Sequence, residues 1–153
     1  MVSTPTTVAS TRTNAVAAWE SLFRAQVSVM RTLASEFPTR GLSFNEYDVL
    51  FNLFRQPDHE LRLRDLNKHV LLTQPSVSRL VDRLVSRGFV GKCPEPTDGR
   101  GTVIRLTDEG ENVFRSVARE HSATITDRVG GRLDGDELAQ LAALCDKLRD
   151  EDC

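Results

Sequence analysis

Thr73-Gln74-Pro75-Ser76-Val77-Ser78-Arg79-Leu80-Val81-Asp82-Arg83-Leu84-Val85-Ser86-Arg87-Gly88 is the stretch that decides the reading of this chain. Val77, Leu80, Val81, Leu84 and Val85 recur at i, i+3, i+4, i+7 and i+8, which gathers the branched apolar side chains into one stripe of a helix. The other face holds Gln74, Ser76, Ser78, Arg79, Asp82, Arg83, Ser86 and Arg87. These combine donors able to reach base edges and phosphates with short hydroxyls that permit close approach. Thr73 is expected to cap the helix, and Pro75 sits in the first turn, where its missing N–H has no partner to lose. Gly88 is expected to close it. The free N–H groups of the first turn suit a phosphate. Standing alone, this would be an amphipathic surface helix with a solvated basic face.

It does not stand alone. After Gly88 the apolar period shortens from 3.6 to about 2, first over Phe89 to Cys93 and again over Thr102 to Leu106. The turn formers Pro94-Glu95-Pro96-Thr97-Asp98-Gly99-Arg100-Gly101 lie between, so a two-stranded β-hairpin is expected. Upstream, a short helix is expected around Leu63 to His69, with Leu63, Leu66 and Val70 facing inward. Short helix, turn, basic-faced helix and hairpin are, in that order, the parts of a winged helix-turn-helix.

Long helices are expected on both sides. Val16, Trp19, Leu22, Phe23, Val27, Met30, Leu33 and Phe37 step by three or four until Pro38. Leu42-Ser43-x-x-Glu46-Tyr47 reads as a capping box with a hydrophobic staple, opening a helix that ends before Pro57. Thr107, followed by Asp108 and Glu109, opens another that runs to the break at Gly130-Gly131. Leu133-Asp134-x-x-Glu137-Leu138 is a second capping box, ahead of a last helix with Leu138, Leu141, Cys145 and Leu148 on one face. The Ser/Thr-rich residues 1–14 carry too little apolar surface to offset ordering and are expected to form a disordered tail.

Composition narrows the function classes. The chain has 153 residues and a net charge of −2, but residues 61 to 105 hold nine Lys/Arg against four Asp/Glu, a net of +5 that leaves −7 for the remainder. A basic segment inside an acidic chain fits a protein with one phosphate-attracting surface. No apolar run approaches the length of a bilayer span and no secretory signal opens the chain, so no membrane partner and a cytoplasmic location are expected. Three cysteines, Cys93, Cys145 and Cys153, form no disulfide framework.

Residues 43 to 110 resemble the MarR (multiple antibiotic resistance regulator) family. Leu66 to Leu72 matches its first helix-turn-helix helix, Thr73 to Val81 its recognition helix, and Leu84-x-x-x-Gly88-Phe89-Val90 the exit into the wing. Asp98-x-Arg100-x-x-x-Ile104-x-Leu106-Thr107-x-x-Gly110 has the spacing of the family's wing. The resemblance implies a mainly α fold with a small β-hairpin wing. A dimerisation helix (15–42) precedes the winged helix-turn-helix (43–107), and further dimerisation helices (108–153) follow it. It implies a homodimeric transcription regulator, a repressor released by a small-molecule effector, binding an inverted-repeat operator in double-stranded DNA. Thr73, Gln74, Pro75, Ser76, Ser78, Arg79 and Arg83 would face the major groove, and Arg100 a neighbouring minor groove. Asp98 would hold Arg100 or Arg79 in place.

The family's effectors are small anionic or phenolic molecules, and Trp19, Asp48 and Ser78 fall where its urate-responsive subset has pocket residues. Leu80 stands where that subset carries an arginine, which removes the cationic partner of urate itself. The alternative for Trp19 is a core or interface aromatic, and for Asp48 an ordinary surface acid. Cys93 beside Lys92 would give a redox-responsive regulator if the cation lowered the thiol pKa, whereas a small strand residue is the plainer account. A winged helix used for protein contacts is the remaining alternative. His59, His69 and His121 are scattered, so no metal or other cofactor is expected. No phosphate loop, nucleophile elbow or catalytic cluster marks an enzyme.

Overall fold

The computed structural model describes residues 6–38, 40–70, 72–97 and 99–149, with side chains from Thr11 onward. The elements are α1 (Thr6–Ser35), α2 (Phe44–Phe54), β1 (Glu60–Arg62), α3 (Leu63–His69), α4 (Gln74–Ser86), β2 (Val90–Pro94), β3 (Thr102–Leu106), α5 (Asp108–Ile125) and α6 (Gly135–Arg149), with a π-helical turn at Thr126–Gly130. They divide into two compact units, residues 37–123 and residues 1–36 with 124–153.

The unit of residues 37–123 is built around α2, α4 and a small sheet. At the start of α2 the Glu46 backbone N–H donates to Ser43 Oγ and the Ser43 N–H to Glu46 Oε1, each at 3.1 Å, which is the capping box the sequence predicts. Val49, Leu50 and Leu53 of α2, Leu66 of α3, Val77 and Leu84 of α4 and Ile104 of β3 are all fully buried. Val77, Leu80, Val81 and Leu84 form the buried stripe of α4 as expected, with Val85 half-buried at its edge. Phe37, Phe44, Tyr47, Phe51, Phe54 and Phe114 form an aromatic cluster beside it.

The sheet has three antiparallel strands in the order β1-β3-β2, not the two of a bare hairpin. Leu61 pairs with Ile104 and Lys92 with Ile104 from the other side, so β3 is central. β1 escapes sequence reading because Glu60-Leu61-Arg62 is too short to display alternation, and its partner lies some forty residues further on.

Two glycines place α4 and α5 against the sheet. Gly88 has φ +79°, and the N–H groups of Gly88 and Phe89 donate to Val85 O and Leu84 O at 3.0 Å, a Schellman ending for α4. Thr107 Oγ1 donates to Gly88 O at 2.7 Å and accepts from the Gly110 N–H at 3.0 Å, capping α5. A Cβ on Gly110 would overlap the Phe89 carbonyl, so α5 can start this close to β2 only with glycine there. The Leu-Thr-x-x-Gly spacing of the wing motif thus has a steric cause.

In the other unit, α1 begins at Thr6 rather than near Val16, so residues 6–14, expected as part of a tail, continue the helix. Residues 11–20 are all exposed in the single chain. Residues 1–5 and Cys153 lie outside the described residues. The second capping box forms as predicted: the Glu137 N–H donates to Asp134 Oδ1 at 2.9 Å and the Asp134 N–H to Glu137 Oε2 at 3.0 Å. Arg128 Nε donates to Glu36 Oε2 at 3.0 Å, joining the residue that follows the first helix to the π-helical turn.

Candidate nucleic-acid interface

The polar face of α4 is presented by its buried stripe, and its exposed edge carries Thr73, Gln74, Pro75, Arg79 and Arg83, with Ser76 and Ser78 half-buried. One expectation is corrected at its start. Thr73 is the N-cap residue, yet its hydroxyl donates to Ser76 Oγ at 2.9 Å and makes no bond to the helix backbone. The first-turn N–H groups are therefore left without a side-chain cap.

The expected residues fall on two sides of the helix. Ser76, Arg79 and Arg83 line a hollow of about 490 Å³ with Asn45, Leu72 and Asp82. Gln74, Ser78 and Arg100 line a cleft of about 320 Å³ between α3, α4 and the wing. Asp82, also on α4, is not idle: Lys92 Nζ of β2 donates to its Oδ1 at 2.8 Å, tying wing to helix. Arg87, at the other end of the polar face, turns away, with Nη1 donating to Glu46 Oε2 at 2.8 Å, Nη2 to the Gly41 carbonyl, and its guanidinium over the Phe89 ring.

Sequence reading missed the charged residues that complete the cleft. Arg62 and Arg64 line it, with Glu95, whose side chain is only 4% exposed. Arg62 Nε is 2.7 Å from Glu95 Oε1. Asn67 adds a buried amide oxygen with no partner among the described residues. The net of +5 over residues 61 to 105 was the available signal for the arginines. Glu95 had none, because it sits among turn formers where burial is not expected. Asp98, expected to steady an arginine, lies outside the described residues.

The expected effector residues are distributed. Trp19 is 62% exposed and lines an apolar groove of about 650 Å³ in the unit of residues 1–36 and 124–153, with Leu22, Leu141, Leu144, Cys145 and Leu148. Ser78 lines the wing cleft. Asp48 is half-buried on α2, accepting from Asn52 Nδ2 at 3.4 Å; burial pushes its carboxyl above the usual carboxylate range, and His69 pulls against that. Cys93 is exposed, and the Lys92 ammonium expected beside it is engaged by Asp82, as strand alternation dictates. Among the described residues no cluster of three His, Cys, Asp or Glu could hold a metal ion. No described helix is long and apolar enough to cross a membrane.

A helix-turn-helix of α3 and α4 followed by the β2–β3 wing defines a winged-helix protein. A family model described as MarR family matches residues 40–101. The chain is 30% identical to Sco5413, a MarR family transcriptional regulator from Streptomyces coelicolor. That structural match covers 89% of this chain and 93% of that one, with a TM-score of 0.69. Sco3205 from the same organism, solved in complex with DNA, is 26% identical over 85% of each chain, with a TM-score of 0.72. The transcriptional repressor YetL of Bacillus subtilis (strain 168) is 30% identical over 69% of this chain, and the match spans 64% of YetL. This chain belongs to the MarR family, and these relatives are transcription regulators rather than enzymes.

Proposed function

We propose that the protein is a sequence-specific regulator of transcription that binds double-stranded DNA as a cytoplasmic homodimer, a repressor released by a small effector. The observation that carries this is the exposed edge of α4, with Arg79 and Arg83 on one side and the arginine-lined wing cleft on the other. In this reading α4 enters the major groove, where Arg79 reads a base edge and Arg83 meets phosphate, with Thr73, Gln74, Pro75, Ser76 and Ser78 at the helix start. Arg100 follows the adjacent minor groove, with Asp98 holding Arg100 or Arg79 in place. Residues 43–107 form the DNA-binding part, and residues 15–42 and 108–153 the dimerisation part. The support for a second copy is the apolar groove of α1 and α6, where Trp19 and Leu148 are 62% and 68% exposed. Binding of labelled random duplex, followed by anisotropy across a salt series, tests the reading. The logarithm of the association constant should fall steeply and linearly with the logarithm of salt. A flat response would favour a protein-contact adaptor.

The proposed effector is a small anionic or phenolic molecule, for which Trp19, Asp48 and Ser78 are each a candidate contact taken singly. Trp19 is the only tryptophan, so its fluorescence reports occupancy directly. Titration with hydroxylated aromatic acids should shift its emission and weaken DNA binding together. Emission and DNA binding both unmoved across that series count against the assignment.

A further inference from the structure

The base of the wing holds a buried carboxylate, a charge that phosphates would repel. Glu95 follows β2 at the turn of the wing, and its side chain is 4% exposed. A carboxylate so buried is costly unless charges and hydrogen bonds surround it. Glu95 Oε1 has both, with Arg62 Nε at 2.7 Å, Arg64 Nη2 at 3.9 Å, and the Thr97 hydroxyl donating at 3.3 Å. Its backbone N–H donates to the Gly101 carbonyl at 2.9 Å, closing the loop that carries Arg100. A Cβ on Gly101 would overlap Glu95 Oε2 and stand 3.1 Å from Glu95 Cβ, so the glycine makes room for the carboxylate. Arg62 ends β1 and Arg64 lies in the first turn of α3. One carboxylate therefore joins both ends of the wing loop to the start of the helix-turn-helix.

We infer that Glu95 is a positioning residue, fixing the base of the wing against β1 and α3 and so setting where the Arg100 loop meets DNA. The consequence for DNA rests on the function proposed above; the anchoring does not. Two variants separate position from charge. Glu95→Gln removes the negative charge, while Gly101→Ala keeps every charge and displaces the carboxylate from Arg62.

Two measurements apply to both: amide hydrogen exchange at Glu95 without DNA, and affinity for an operator duplex recovered by selection against a random duplex. Both variants should exchange the Glu95 amide faster and lose about tenfold of the operator-over-random ratio, the scale of one charge-assisted contact. Tighter binding of Glu95→Gln to both duplexes, with Gly101→Ala unchanged, would make Glu95 a mere counter-charge and overturn the inference. Unaltered exchange with an unaltered ratio overturns it too, as does equal weakening on both duplexes. Should the unmodified protein bind neither duplex, the DNA reading fails while amide exchange still decides the anchoring.

Discussion

His121 is 5% exposed among the rings of Phe37, Phe44 and Tyr47, with centroids 5.2, 5.8 and 5.1 Å away, and its Nδ1 has no partner among the described residues. Burial disfavours the cation, so its pKa is lowered from the ordinary value of 6.5. The folded protein then binds this proton less readily than the unfolded chain does. Stability is therefore full above pH ~6.5 and falls as the pH drops below it. Urea unfolding at about pH 7.5 and about pH 5.5 should show a loss at the lower value that His121→Phe reduces. An identical loss in the variant would assign it to other groups. Arg79→Ala should cost roughly 1–3 kcal/mol on the operator and relax preference at one position per half-site, as read by competition with single-base variants. Equal weakening on random DNA would make it a phosphate contact. The exposed side chains of α4 were legible in the sequence because they lie opposite an apolar stripe. The withdrawal of Arg87 and the burial of Glu95 were not, since each depends on a partner brought close only by folding: Glu46 for one, Arg62 for the other.

Elements whose ends are fixed by local chemistry were readable, and those fixed by distant pairing were not. The boxes Ser43–Glu46 and Asp134–Glu137 and the closure at Gly88 each use hydrogen bonds within a few residues, so their spacing alone announces them. Thr73 is the exception, as Ser76 competes for its hydroxyl. β1 depends on β3 and leaves no local mark. Gly110 turns this into a prediction. An added Cβ meets the Phe89 carbonyl, which is backbone and cannot rotate aside, so α5 must shift off β2. Gly110→Ala should destabilise by about 1–3 kcal/mol, within the range for forced overpacking and despite alanine's better helix propensity. Urea unfolding checks the sign, and a stabilised variant would show that the close approach imposes no constraint.

At the scale of the whole molecule, the exposed apolar surface asks for a second copy. Leu141, Leu144 and Leu148 of α6 are 42%, 52% and 68% exposed, and Trp19 of α1, which lines the same groove, is 62% exposed. A lone protomer would leave this groove in water. Leu141→Glu or Leu148→Glu should split the dimer in light scattering and abolish operator binding together, because a two-fold site needs both recognition helices. Loss of one property without the other would place the interface elsewhere. In the proposed dimer two copies of α4 read DNA about one helical turn apart, and the decisive experiment is selection of bound sequences from a random duplex pool. The pool should enrich an inverted repeat with half-site centres about 10 base pairs apart, or a multiple of that, flanked by A·T-rich steps where the wings reach. A pool that emerges without enrichment, or enriches a single unrepeated site, would contradict it.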